Sequence, residues 1–328
     1  EVAARPNCCC CFWNTATCPG CSASGSKRSS WTKLYLTAAC LESLFLLVVC
    51  IFIADDDKNS AAALYAALAL YTTLGFLYFT VDAGLTENKI QFVAALLASV
   101  VLTGTILFKV FKEPEELGDF WVKWRWAVFG VKCGFQLIYL GLFYPAWDSF
   151  GFFAYKVASS SVIMQDLYAA YRLFLTLLKL DFFFSFMLLL MAKFFLFQTW
   201  DLEMSLDTVG VVLTIGWTFL GWTAATLENS SLFVGFAVLS PLQPVYIVHK
   251  LVQYNSNPSL LPDSVTINQF IIMGALSVII RIGLMYSSLR VRSGYGKGLR
   301  GRVFEKAGQG RRPLHKQVRG AATLPSQV

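Results

Sequence analysis

From Phe152 to Trp200 the chain runs 49 residues without a proline. A stretch of that length is compatible with one long helix, and its character changes partway along. Over Phe152–Arg172 it is amphipathic: Met164, Leu167, Tyr168, Tyr171, Phe174, Leu175 and Leu178 recur at helical spacing. Gln165, Asp166 and Arg172 supply the polar side. From Leu173 to Phe197 the run is apolar almost without a break. About 20 apolar residues are enough to cross a bilayer. The pattern predicts a helix that lies on or stands above the membrane and passes directly into a spanning helix.

The rest of the chain agrees with a lipid environment. Hydrophobic residues make up 56% and charged residues 14%, against about 25% charged in soluble domains. Eight spans are expected, at about 34–54, 61–81, 90–110, 126–147, 173–197, 208–227, 232–252 and 267–289. The expected organisation is a Cys-rich polar tail (1–30), four spans (31–151), the long fifth helix (152–200), three further spans (201–289) and a basic tail (290–328). The fold class is an all-α polytopic membrane bundle of seven to eight spans, with one helix extending into the cytosol.

Charge sets the orientation. Lys27, Arg28 and Lys33 precede the first span, and Asp55, Asp56 and Asp57 follow it. By the positive-inside rule the N-terminus is cytosolic. Eight spans return the C-terminus to that side. There, ten basic residues and only Glu305 of opposite sign lie between Arg290 and Arg319. Such a tail suits anionic lipid better than nucleic acid. The Gly294–Gly301 stretch GYGKGLRG reads as a flexible basic exit from the membrane. Asn229-Ser230-Ser231 forms a glycosylation sequon, expected to stay unmodified because it falls on the cytosolic side close to the membrane. In the N-terminal tail Cys8, Cys9, Cys10 and Cys11 precede Cys18 and Cys21. Palmitoylation beside the first span, zinc binding and a reduced disordered tail all fit that pattern.

Charges within spans are costly and are functional candidates. Glu42, Asp181 and Arg281 each lie eight residues from the cytosolic end of a span, about 12 Å deep. They form an expected charged layer in which Arg281 pairs with Glu42 or Asp181, as an ion or proton site or as a structural ion pair. Lys179, two residues from Asp181, points to another helix face and is expected to snorkel, as are Lys109, Lys193 and Lys250 near outer ends. The seventh span carries Pro241, Gln243 and Pro244. The two prolines free the carbonyls of Ala237 and Ser240 and break the helix, a geometry that suits cation or polar-solute binding as well as a packing kink. No internal repeat is clear enough to argue for an inverted-repeat transporter. Metalloprotease, hydrolase, P-loop and haem motifs are not found in the sequence, so no enzyme activity and no cofactor are expected.

Two segments carry a resemblance. Tyr171-Arg172-Leu173-Phe174 continues into Leu177-Leu178-Lys179-Leu180-Asp181-Phe182-Phe183-Phe184, and Gly294-Tyr295-Gly296-Lys297-Gly298-Leu299 follows the last span. Over roughly residues 165–300 the chain resembles a family of functionally uncharacterised multi-pass membrane proteins of fungi and other eukaryotes. The resemblance implies a eukaryotic helical membrane protein with no catalytic residues to carry over. The expected function is a scaffold or accessory subunit that works with other membrane proteins or with itself. A transporter or channel is the alternative, and a seven-span receptor-like protein the second alternative.

Overall fold

The computed structural model describes residues 30–56, 60–112, 119–150, 162–192, 202–256 and 264–296. The described residues form helices: α1 Ser30–Asp56, α2 Ser60–Thr86, α3 Lys89–Lys112, α4 Asp119–Ser149 and α5 Val162–Met191. They continue with α6 Leu202–Leu227, α7 Ser230–Leu239, α8 Leu242–Ser256 and α9 Ser264–Arg292. Among the described residues, seven segments are long and apolar enough to cross a membrane: those in α1, α2, α4, α5, α6 and α9, and Ser230–Val252, which joins α7 and α8. In α3 the apolar helix Lys89–Gly104 is shorter. The chain is therefore an integral membrane protein. Cys8 to Cys11, Lys193 and the basic tail beyond Gly296 lie outside the described residues.

Two tight turns show how the helices are folded back. Glu87 has φ 49° and Glu228 φ 51°, the left-handed conformation that ends a helix and that side chains other than glycine rarely take. At the first turn the Asn88 N–H bonds the carbonyl of Ala83 (3.2 Å), and the Asn88 side chain then accepts from the N–H of Ile90. At the second turn Asn229 N–H bonds Ala224 (3.2 Å), and its side chain accepts from Ser231 (2.9 Å). The sequon asparagine is thus an N-cap.

These two turns belong to a larger correspondence. The chain follows one four-helix plan twice, α1–α4 and then α5, α6, α7–α8 and α9. Leu36-Thr37…Leu41-Glu42…Phe45 in α1 reads as Leu175-Thr176…Leu180-Asp181…Phe184 in α5. Burial follows the same register: Tyr35, Ala39, Glu42, Leu46 and Val49 are buried in α1, as are Phe174, Leu178, Asp181, Ser185 and Leu188 in α5. Each unit comprises four helices, with its carboxylate on the first and its cation on the last.

The two units meet at α5. Its Phe183 stacks on Tyr71 of α2 at 4.8 Å between ring centroids and lies against Gly75. Its other side joins Leu178, Phe174 and Tyr171 to Trp217, Trp222, Phe236 and Leu284 of the second unit. Tyr168 and Tyr171, expected above the membrane on an amphipathic segment, are buried in this core. From Leu167 onward the helix belongs to the bundle, because its aromatic face meets helices of its own unit. The start of the expected cytosolic extension, residues 152–161, lies outside the described residues.

The expected flexible exit differs as well. Ser293 to Gly296 fold as a turn against the α6–α7 connection, with the Tyr295 hydroxyl donating to Ala224 O (2.9 Å) and Gly296 N–H to Glu228 (2.9 Å). Burial, and then the Glu228 carboxylate, push the Tyr295 hydroxyl up to about 12, so it remains a donor at physiological pH.

Gly75 and its counterpart Gly216 have opposite surroundings: a β-carbon at Gly75 overlaps the Phe183 ring, whereas Gly216 faces open space. Gly75→Phe is expected to destabilise the purified protein by about 1–3 kcal/mol or more through overpacking, while Gly216→Phe leaves its thermal midpoint within a degree or two. Thermal unfolding of both variants in lipid nanodiscs checks the contrast.

Candidate functional site

The candidate site is a set of buried ion pairs, each built from two helices. Arg281 on α9 grips Asp181 on α5 as a fork: Nε donates to Oδ1 at 3.0 Å and an Nη to Oδ2 at 2.5 Å. The other Nη donates to the carbonyl of Ser240 at 2.9 Å, and the guanidinium lies over the Trp217 ring, 3.9 Å from its centroid. Arginine suits this cradle because its planar fork serves both carboxylate oxygens and still has a donor for a third acceptor. The Ser240 carbonyl is available because Pro244, four residues on, has no N–H to give it. Ala237, freed by Pro241, instead accepts from Ser240 N–H at 3.3 Å. The break between α7 and α8 therefore supplies a ligand to Arg281. Gln243, between the prolines, donates to Ser277 Oγ at 2.6 Å, one helical turn from Arg281 on α9.

Glu42 takes a different partner from the one expected. Lys132 of α4 and the Tyr139 hydroxyl bond its two oxygens, and both ends of the Lys132–Glu42 pair are 0% exposed. Lys132 also donates to Ser99 Oγ of α3 at 3.0 Å and lies 5.4 Å from the Phe76 ring centroid of α2. Of the two carboxylates expected for Arg281, Asp181 is thus its partner and Glu42 is not. It belongs to its own unit.

Position for position, the two clusters are one site built twice. Glu42 corresponds to Asp181, Phe76 to Trp217, Ser99 to Ser240 and Lys132 to Arg281. The separations are 139 residues for the first pair, 141 for the next two and 149 for the last. Each cluster takes a carboxylate from the first helix, a ring from the second, an oxygen from the third and a cation from the fourth. An aromatic face under a desolvated cation adds to the attraction.

A third pair connects the two units. Lys179 of α5 donates to Asp82 Oδ2 of α2 at 2.6 Å, and Gln91 Nε2 donates to the same oxygen at 2.6 Å. Asp82 Oδ1 is buried with no hydrogen-bond partner among the described residues. Nearby, Asn88 donates to Thr176 Oγ1 of α5 at 3.0 Å, and Arg172 donates to the Thr86 carbonyl. The snorkelling expectation for Lys179 is thus overturned: it is buried in an ion pair, because the face of α5 away from Asp181 meets the first unit and not lipid. Lys250 is also buried, with Tyr246 beneath it. The side chain of Lys109 lies outside the described residues.

Lys132, Tyr139, Ser99 and Asp82 are the site residues that the sequence reading lacks. Asp82 falls one residue beyond the boundary drawn at Val81, whereas α2 continues to Thr86. Lys132 is a charge inside an apolar span, which was by itself a sufficient signal.

Residues 159–290 match a family described as Domain of unknown function (DUF7789). That match covers α5 to α9, with Asp181, Arg281, Ser240 and Trp217. No curated protein and no solved structure matches the chain.

Removing one partner of a buried pair leaves an uncompensated charge. Asp181→Leu is expected to cost about 3–5 kcal/mol, while Asp181→Leu with Arg281→Met recovers most of that loss. Chemical unfolding of the three proteins in detergent measures the coupling. Ser99→Ala removes one hydrogen bond to a buried ammonium and is expected to cost about 1.5–3 kcal/mol. Ser240→Ala keeps the carbonyl and is expected to cost well under half of that in the same measurement.

Proposed function

We propose that the protein is a non-enzymatic scaffold or accessory subunit of a membrane assembly, with both termini cytosolic. The observation that carries this reading is the saturation of the charged clusters: both oxygens of Glu42 and both oxygens of Asp181 are engaged by donors of their own unit. A transport site has to exchange its partners during a cycle. A carboxylate held at both oxygens inside a packed bundle is suited to holding helices in place. The gap among Phe174, Gly221, Phe233, Phe236 and Val291 leaves no room for a water molecule. A eukaryotic membrane is the expected setting on this reading, supported by the resemblance over roughly residues 165–300.

A second reading is a transporter for an ion or small polar solute. It is favoured by the α7–α8 break, by the repeated unit and by Asp82 Oδ1, which has no hydrogen-bond partner among the described residues.

Purification from the native membrane in a gentle detergent, followed by mass spectrometry, separates the two. The scaffold reading expects other membrane proteins at stoichiometric amounts, and liposomes holding the pure chain to show no proton or cation flux above protein-free controls. Flux that disappears in Asp82→Asn would sink the scaffold reading and establish transport.

A further inference from the structure

The two units are joined head to tail. The first helix of the second unit, α5, lies on α2 of the first, near the start of α3. The joint is a stripe along α5: Arg172, Thr176, Lys179, Phe183 and Met187. It meets Thr86, Asn88, Asp82 and Gly75 of the first unit. A head-to-tail joint leaves one copy of each face unused. Those unused copies can be named residue by residue. On α1 they are Lys33, Thr37, Cys40, Leu44 and Val48, each 139 residues before its α5 counterpart, and all are exposed. On the second unit they are Gly216, Thr223, Leu227 and Asn229, each 141 residues after its counterpart. Among the described residues Gly216 has nothing within 4 Å of where a β-carbon would sit, and Leu227 and Asn229 are exposed.

The contrast in burial is confined to that stripe. Thr176 and Lys179 are buried and Phe183 half-buried, while Thr37 and Cys40 are exposed and Leu44 is 59% exposed. Positions on the other side of the same helices, such as Phe174 and Tyr35 or Leu188 and Val49, are buried in both units. Thus α1 is α5 with its joint uncovered.

We propose that these two faces are the contact between copies of this chain, with α1 of one copy seated on α6 of the next as α5 is seated on α2. The occupant is argued from the internal joint, which is the same contact already made between the two units. The chemistry of the two faces fits association in lipid. The lysine and aspartate of the internal joint are replaced by Cys40 and Thr223, so neither lone surface presents a buried charge to lipid before the copies meet. Small residues on both sides, Thr37 and Cys40 against Gly216 and Thr223, allow close helix approach, and polar Thr37 and Asn229 retain the Thr176–Asn88 hydrogen bond in kind. The proposal rests on the internal joint alone and not on the scaffold reading: a pure self-assembly satisfies it while failing that reading.

Cys40 makes the test direct. Its counterpart Lys179 reaches the counterpart of Thr223 through a long side chain, so Thr223→Cys should be joined to Cys40 of a neighbouring copy by a short bifunctional maleimide that spans the gap two cysteines alone leave open. The full chain is expressed in its membrane with its other eight cysteines replaced (Cys50 and Cys133 by alanine, the six of the tail by serine), carrying Thr223→Cys. Treated with that cross-linker it should give a band at twice the chain mass, or a ladder at whole multiples if the contacts do not close. Adding Cys40→Ala, or Gly216→Phe on the open α6 face, should reduce that product at least tenfold. Photobleaching of the fluorescently labelled native chain in membrane fragments, which needs no substitution, should show two or more steps per spot. Single-step bleaching overturns the proposal. So does a cross-link at a mass that is not a multiple of the chain, which would mean another protein covers α1, and so does a product that persists in Gly216→Phe.

Discussion

Two opposite charges, two residues apart on α5, hold the bundle together. Residues separated by two on a helix point in nearly opposite directions. Lys179 therefore reaches Asp82 in the first unit while Asp181 reaches Arg281 in the second. In a medium without water each charge is tolerable only with a partner at its own depth, so α5 is held from both sides and its rotation is fixed. A turn of the helix by one residue would withdraw both charges from their partners at once. The aromatic packing follows this registration: Phe183 meets Tyr71 and Gly75 on the lysine side, and Phe174 meets Phe236 on the aspartate side.

The two carboxylate–cation clusters solve one problem with different atoms. The first unit has an unbroken α3, and the third-helix ligand to its lysine is a side chain, the hydroxyl of Ser99. The second unit has a broken third helix, and the ligand to its arginine is a backbone carbonyl. Each cation suits its cradle. A compact ammonium can be satisfied by one carboxylate oxygen and one hydroxyl, whereas a guanidinium has more donors to place and a plane to stack. In the second unit that plane meets an indole where the first has only a phenyl ring.

Much of the architecture was legible from hydropathy alone, since long apolar runs in lipid have few alternatives to helices. The central position of α5 was visible in its length and its lack of proline. Counting residues from the membrane edge put Asp181 and Glu42 at equal depth, and the structure assigns the first to Arg281. The release of the Ser240 carbonyl followed from Pro244. What was not legible depends on neighbours. That Lys179 points away from Asp181 is a property of the helix, but whether lipid or protein lies on that side is a property of the packing. Asp82 was lost to a boundary one residue short. The repeat was hidden because few identities survive it and three different separations relate its helices, so shared contacts reveal what letter matching does not.

The use of a main-chain oxygen at Ser240 changes where variation can act on the second cluster. A hydroxyl ligand such as Ser99 can be deleted by one codon change at its own position. The peptide carbonyl at position 240 is present whatever residue stands there, so the side chain at 240 is released from that duty. Control passes four residues along the chain to Pro244, the residue whose missing hydrogen leaves the oxygen unclaimed. In the second unit the coordination of the arginine is therefore encoded by a residue outside its coordination shell. A ligand-by-ligand reading of the cluster would overlook that position.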